Sequence, residues 1–229
     1  MATTRDIWIN RYETPTLVEP VAVVGSPGLR SIGKLVVDSL IAKTSAKLCA
    51  DLYSTHLPAV YQTTPSYAAH PSLPGMGGTV VEGGVADFPK TQFYASQTPP
   101  LLLVRGYHAN FSGQYAVAES IVHYLKDMGV KRMIVAAGFG TKEKTVVCAA
   151  NNQATLDKMK KDFDVGVGYK GPFMGFSGLI FGFTKLVDID AVCLFAGTEP
   201  TENDLEFPDQ EAADRIVEVL GRVLSLPKP

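Results

Sequence analysis

Short runs of β-branched and aliphatic residues alternate along this chain with segments whose apolar positions recur every three or four residues. Val21-Ala22-Val23-Val24, closed by Gly25-Ser26-Pro27-Gly28, has the pattern of a buried strand ending in a turn. Ser31 stands where a helix cap belongs, and Ile32, Leu35, Val36, Ser39 and Leu40 then recur at helical spacing as far as Lys43. A second strand is predicted over 46–53 and a third over 101–105. Ser112-Gly113-Gln114-Tyr115 leads into a helix with Tyr115, Ala118, Ile121, Val122 and Leu125 on one face, closed by Gly129. Strands follow at 132–137 and 145–149, then a helix over 152–163 with Leu156, Met159 and Phe163 inward. The spacing predicts a helix over 178–186 despite its glycines, a last strand at 191–196 and a helix from Asp209. In that helix Ala212, Ala213, Ile216, Val217, Leu220 and Val223 form the buried stripe.

Strands alternating with amphipathic helices imply βαβ units, hence an α/β fold whose mainly parallel sheet is covered on both faces. One domain spanning 1–229 accommodates all of these elements. The pattern dissolves into Pro, Gly and Ser over about 55–91, with short extended pieces near 59–62 and 79–82. A stretch that long inside a domain predicts hairpins, an excursion or a partner surface.

In a parallel sheet the loops leaving the strands collect at one edge, where ligands bind. Four predicted exits carry glycine with small or polar residues: Gly25-Ser26, Gly106-Tyr107-His108, Gly138-Phe139-Gly140-Thr141 and Gly197-Thr198-Glu199. With Pro27, Gly28 and Gly33 they make up a candidate ligand or interaction edge.

Composition narrows the partners. The chain has 229 residues, 46% of them apolar and 19% charged, and a formal net charge of −2. The charged fraction is a little below the common ~25%, leaving apolar surface for self-association, so an oligomer is expected. Lys158, Lys160 and Lys161 are interleaved with Asp157, Asp162 and Asp164, a solvated helix face rather than a phosphate-binding patch, so nucleic acid is not an expected partner. Cys49, Cys148 and Cys193 lie far apart within apolar strand patterns and read as buried free thiols. The polar start of the chain lacks the apolar core of a secretory signal, and no apolar run reaches the ~18 residues of a membrane span. A cytoplasmic protein with no membrane attachment is expected.

Gly28-Leu29-Arg30-Ser31-Ile32-Gly33-Lys34 fits the first seven positions of a phosphate-binding loop, but Leu35 stands where a hydroxyl should hold Mg²⁺ and Pro27 removes a backbone donor. A structural strand-to-helix turn is the stronger reading. His56, His70, His108 and His123 have no metal-ligand spacing among themselves or with the cysteines, and only His108 falls at a strand exit. No metal and no cofactor are expected. Cys148, inside a strand, reads as inert core. Glu199 is the one acid placed for a hydrolase or phosphorylase role, without an assignable partner acid or nucleophile; pairing with a neighbouring element is its structural alternative.

The chain resembles the proteasome assembly chaperone 2 family. The resemblance is carried by Val23-Val24-Gly25-Ser26-Pro27-Gly28-Leu29-Arg30-Ser31-Ile32-Gly33, Ala50-Asp51-Leu52-Tyr53-Ser54, the strand at 100–106, Gly113-Gln114-Tyr115 and Gly138-Phe139-Gly140-Thr141. Gly175-Phe176-Ser177-Gly178 before Leu179-Ile180-Phe181-Gly182, and Asp209-Gln210-Glu211-Ala212-Ala213, complete it. The resemblance implies a three-layer α/β/α sandwich of phosphorylase/hydrolase type without an established catalytic set. It also implies a homo-oligomer, or a hetero-oligomer with a family paralogue, that helps proteasome α-subunits assemble. The chain closes with Leu226-Pro227-Lys228-Pro229, so docking through the hydrophobic-Tyr-any tail of some archaeal members is not expected. Two readings therefore stand: a non-enzymatic assembly chaperone acting through surface contacts, and a small-molecule-binding protein or enzyme using the strand-exit loops.

Overall fold

The β-branched run 21–24 becomes the middle of a sheet, and its alternation distributes side chains to two separate cores. The structure, a computed structural model, describes residues 6–57, 79–107, 113–199 and 207–226. Its strands are β1 (Ile7–Arg11), β2 (Val21–Gly25), β3 (Lys47–Ser54), β4 (Val80–Glu82), β5 (Val85–Asp87), β6 (Thr91–Gln97), β7 (Pro100–Arg105), β8 (Arg132–Gly140), β9 (Val146–Ala150), β10 (Gly166–Val167) and β11 (Asp190–Thr198). Its helices are α1 (Ile32–Thr44), α2 (Gln114–Asp127), α3 (Gln153–Phe163), α4 (Gly175–Phe183) and α5 (Gln210–Val223). Val21 and Val23 pack with α1, α3 and α5; Ala22 and Val24 pack on the other side with α2 and α4. The layers are therefore helix, sheet, helix.

Nine strands form the main sheet in the order β1-β3-β6-β7-β2-β8-β11-β9-β10. Its centre is parallel: β7 pairs with β2, β2 with β8 and β8 with β11, in a register that aligns Leu101, Val21, Arg132 and Asp190. Antiparallel pairs flank that centre, from β1 through β3 and β6 to β7 on one side and from β11 to β9 on the other, with β10 added parallel to β9. The predicted parallel arrangement is thus the middle of a mixed sheet. Fully burying an aliphatic side chain contributes about 1.5–3 kcal/mol, and β2, with all five residues buried, concentrates that contribution at the centre.

Several local expectations change. β8 continues to Gly140 and β11 to Thr198, so Gly138-Phe139-Gly140 and Gly197-Thr198 are strand, not loop. The helix predicted over 178–186 starts earlier, at Gly175, and its end becomes a 3₁₀ turn over Thr184–Leu186. Tyr115, expected inward, is 57% exposed and lays its ring edge-on against Phe183 at 4.7 Å. The extended piece near 79–82 is one arm of the separate β4–β5 hairpin, while the piece near 59–62 lies outside the described residues. β1, β6 and β10 have no counterpart in the predicted elements. Among the described residues no helix is long and apolar enough to cross a membrane.

Candidate functional site at the strand-exit edge

The edge is built by close approach of α1 to the ends of β2 and β8. A Cβ on Gly33 would lie 2.5 Å from the Ala136 carbonyl oxygen and 2.8 Å from that of Ser26, and a Cβ on Gly25 would strike the Gly33 carbonyl. Only glycine lets the helix rest on the strand ends in this way. The intervening turn takes Gly28, Arg30 and Ser31 into the left-handed region, at φ of 50°, 48° and 54°. Ser31 occupies the cap position of α1 without making a side-chain cap. Lys34 reaches one turn forward along the helix to Asp38 at 2.6 Å, away from the loop, which gives the near phosphate loop a structural explanation.

Backbone hydrogen bonds sew the neighbouring exits together. Gly106 donates its N–H to the Gly25 carbonyl at 2.8 Å, and Thr141 donates to the Thr198 carbonyl at 2.9 Å. Gly106 packs against Ser26, and Gly138 against Ile32. Of the predicted edge residues, Gly25, Gly33 and Gly106 thus serve packing, His108 lies outside the described residues, and the others, together with Gly33, divide between two cavities.

The first cavity, about 490 Å³, is lined by Ser26, Pro27, Gly28 and Gly33 from the β2–α1 turn, by Gly138, Phe139 and Gly140 from β8, and by Tyr107 and Gln114. The segment entering α4 closes it with Tyr169, Phe173, Met174 and Ser177, and Phe195 forms part of its wall. Tyr169 stacks on Phe195 with centroids 4.7 Å apart and planes 5° apart, and Phe173 meets Phe195 edge-on at 4.8 Å. This cavity sits where β2 sends the chain to α1 on one face and neighbouring β7 sends it to α2 on the other, the divergence at which open α/β sheets bind ligands.

The second cavity, about 350 Å³, takes Thr141, Gly197, Thr198 and Glu199 from the predicted edge and adds Arg30, Lys142, Lys144, Asp209, Glu211 and Arg215. Its carboxylates are paired, Asp209 with Arg30, Glu199 with Lys142 and Glu211 with Lys144, while Arg215 donates to the Gly197 carbonyl at 2.8 Å and keeps a buried Nε with no partner among the described residues. Arg30 donates to the Phe207 carbonyl at 3.0 Å, to Thr198 Oγ1 at 3.1 Å and to Asp209 Oδ2 at 3.3 Å; the Thr198 hydroxyl donates to the same Asp209 oxygen at 2.5 Å. Asp209 Oδ1 accepts the Ala212 N–H at 3.0 Å and caps α5. Burial pushes the Asp209 carboxyl up, but the Thr198 hydroxyl, the Ala212 N–H and the guanidinium groups of Arg30 and Arg215 outweigh it and hold the group below the ordinary aspartate range.

The remaining candidates scatter. Glu199 is 60% exposed and stands 3.7 Å from Lys142, a surface pair. His108 and His70 lie outside the described residues, His56 packs against Gly113, and His123 is exposed on α2. All three cysteines are buried and free, and burial pushes their thiols up, Cys49 to about 11. Among the described residues no group of three or more His, Cys, Asp or Glu side chains is placed to hold a metal. Arg30, Tyr169, Phe173, Asp209 and Arg215 were not expected in a site. Asp209 stood out only as a helix start, and of the first cavity's aromatic lining only Tyr107 and Phe139 fell within predicted strand exits.

An open sheet with helices on both faces and a crevice at the divergence of two connections defines the class of fold. The chain belongs to the PAC2 family, whose sequence model matches residues 22–229. It is similar to Pyrococcus furiosus PbaB, described as an archaeal proteasome activator, with 21% identity over 99% of this chain and 92% of that one and a TM-score of 0.80. It is also similar to Pyrococcus furiosus PbaA, an archaeal homolog of proteasome-assembly chaperone, with 19% identity over 96% of this chain and 83% of that one and a TM-score of 0.74. A PAC2 family protein from Streptomyces avermitilis aligns at 18% identity over 92% of this chain and 88% of that one, with a TM-score of 0.65. No curated protein sequence matches the chain significantly.

Proposed function

We propose that this protein is a cytoplasmic, proteasome-assembly-chaperone-like protein that folds as one domain and acts without catalysis. It works through protein–protein contacts as a homo-oligomer, or as a hetero-oligomer with a family paralogue, and proteasome α-subunits are its candidate partners. The observation that carries this reading is family membership over 22–229 together with likeness, over 99% of the chain, to a protein described as a proteasome activator. The edge itself supports it: its glycines serve helix-to-strand packing, and Arg30, Thr198 and Asp209 are absorbed in holding α5 to the β2–α1 turn. Val81, Val85 and Phe88 stand exposed on and beside the β4–β5 hairpin, outside the main sheet, an apolar surface suited to a second copy.

Affinity purification of the tagged full chain from the organism that encodes it, followed by mass spectrometry, is the test. Recovery of proteasome α-subunits, free or in assembly intermediates, is the expected result; their absence from repeated preparations removes the proteasome reading. Light scattering of the purified chain tests the oligomer separately, and a monomer mass at high concentration removes that part.

A further inference from the structure

At the opposite edge of the sheet, where its parallel strands begin, lies another cavity, of about 420 Å³. It is lined by the first in-register row of the sheet centre: Leu101 of β7, Val21 of β2, Arg132 of β8 and Asp190 of β11. Ile134 and Val192, two residues further along their strands, belong to the core under α1, α3 and α5, so Arg132 and Asp190 project from that same face. α3 walls the cavity with Thr155, Lys158 and Met159, and the end of α5 with Val223 and Leu224.

Two exposed side chains of opposite charge thus start from neighbouring strands, which lie about 4.8 Å apart. Opposite charges facing each other across strands stabilise a sheet when they pair. Among the described residues no ion pair joins Arg132 to Asp190, and the Arg132 guanidinium has no other hydrogen-bond or ion-pair partner. Asp190 turns instead to Asn152, its Oδ1 accepting from the Asn152 amide at 2.7 Å. The other charged side chains among the described lining residues are Lys158 and Glu19, one of each sign, so the charges balance. Between them the lining is apolar: Leu101, Ile134, Met159 and Val192 are almost wholly buried, and Phe163 packs beside them.

We propose that this cavity binds a free α-amino acid with an aliphatic side chain. Its carboxylate lies against the Arg132 guanidinium, a planar fork suited to carboxylates, with Lys158 as the second cation. Its ammonium lies against Asp190, with Glu19 as the second anion, and its side chain rests on Leu101, Ile134, Met159 and Val192. An α-amino acid carries both charges on one carbon, which matches two opposed side chains on adjacent strands. A lone anion or cation would meet one sign favourably and the other unfavourably, whereas a zwitterion engages both. The volume falls in the roughly 300–1,000 Å³ range of small-molecule sites. The cavity is separate from both strand-exit cavities and from the β4–β5 hairpin, so its failure leaves the assembly reading untouched.

Calorimetric titration of the full chain with L-leucine and three partial analogues is the experiment: isocaproate lacks the ammonium, isoamylamine lacks the carboxylate, and free glycine lacks the apolar body. L-leucine is expected to bind saturably with a Kd near or below about 1 mM, and each analogue roughly tenfold more weakly. Arg132 and Asp190 are exposed, and Asp190→Asn keeps an acceptor for Asn152, so both can be changed without disturbing the core. Arg132→Gln is expected to weaken L-leucine roughly tenfold and to remove its advantage over isoamylamine. Asp190→Asn is expected to weaken it similarly and to remove its advantage over isocaproate. No saturable binding at about 10 mM L-leucine, equal binding of L-leucine and any analogue, or indifference to either substitution each overturns the proposal.

Discussion

Two cavities lie side by side along one sheet edge and solve the problem of helix ends in opposite ways. The charged one, around Arg30, Thr198 and Asp209, fastens a helix: its carboxylate caps α5 while taking up a guanidinium and a hydroxyl. The aromatic one, around Phe139, Tyr169 and Phe195, has three helix starts at its wall and no side-chain caps among the described residues. The difference separates charges engaged in fastening a helix from an uncharged aromatic wall. Charged residues at a strand exit invite a catalytic reading, yet here they act as a fastening. The neutral neighbour is poor in titratable groups, and its wall is built from stacked and edge-on rings.

The largest effect should come from the aromatic side. Phe195→Ala removes a buried ring that Tyr169, Phe173 and Phe139 pack against, and should lower stability by about 3–5 kcal/mol in urea denaturation. A loss below about 1 kcal/mol would mean that the wall collapses readily and is no preformed cavity. Next is the turn into α1, whose Gly28 and Leu29 line the aromatic cavity and whose Arg30 lines the charged one. Gly33→Ala brings a methyl against the Ala136 and Ser26 carbonyls and should cost about 1–3 kcal/mol, disturbing both sites together. An effect confined to one cavity, read by amide chemical shifts, would show that they are mechanically separate.

Asp209→Ala should cost about 1–2 kcal/mol and carry a pH signature that Phe195→Ala lacks. The folded-state carboxyl titrates below its unfolded value, so its contribution is complete above the unfolded value and is lost as pH falls through the folded one. The stability gap between wild type and Asp209→Ala should therefore be full at neutrality and narrow below about pH 4. A gap that widens in acid would reverse the assignment of Asp209 as an ionised fastening. The smallest effect is expected at Glu199, whose exposed pairing with Lys142 predicts a change within about 0.5 kcal/mol for Glu199→Gln.

What the sequence could reveal follows from how far apart the interacting residues lie. β2, β7, β8 and β11 were readable because a strand buried on both faces is a nearly unbroken apolar run. β6, Thr91-Gln92-Phe93-Tyr94-Ala95-Ser96-Gln97, was not: one of its faces is polar, with Gln92 and Tyr94 engaged by Arg105, and a half-polar strand resembles a loop. Asp209 was legible as a helix start because capping is local. Its link to Arg30 was not, since the two lie 179 residues apart. The glycine exits were legible one by one, but glycine marks close backbone approach as readily as ligand contact. Nothing local to Tyr169 tells that its ring stacks on Phe195, so the aromatic wall emerges only from the folded topology.

The turn between β2 and α1 has a consequence for the order in which the chain matures. Arg30 and Ser31 are held in a left-handed backbone that costs a non-glycine residue about 1–2 kcal/mol. The contacts holding Arg30 come from Thr198, Phe207 and Asp209, whose N–H also donates to the Arg30 carbonyl at 3.0 Å. On a ribosome those partners emerge long after residue 30, so the nascent amino-terminal half cannot set this turn by itself. Its final geometry waits for the last strand and helix to arrive. A translation product halted before residue 198 should therefore leave the turn open to proteolysis, a vulnerability that closes only once Thr198, Phe207 and Asp209 have been made.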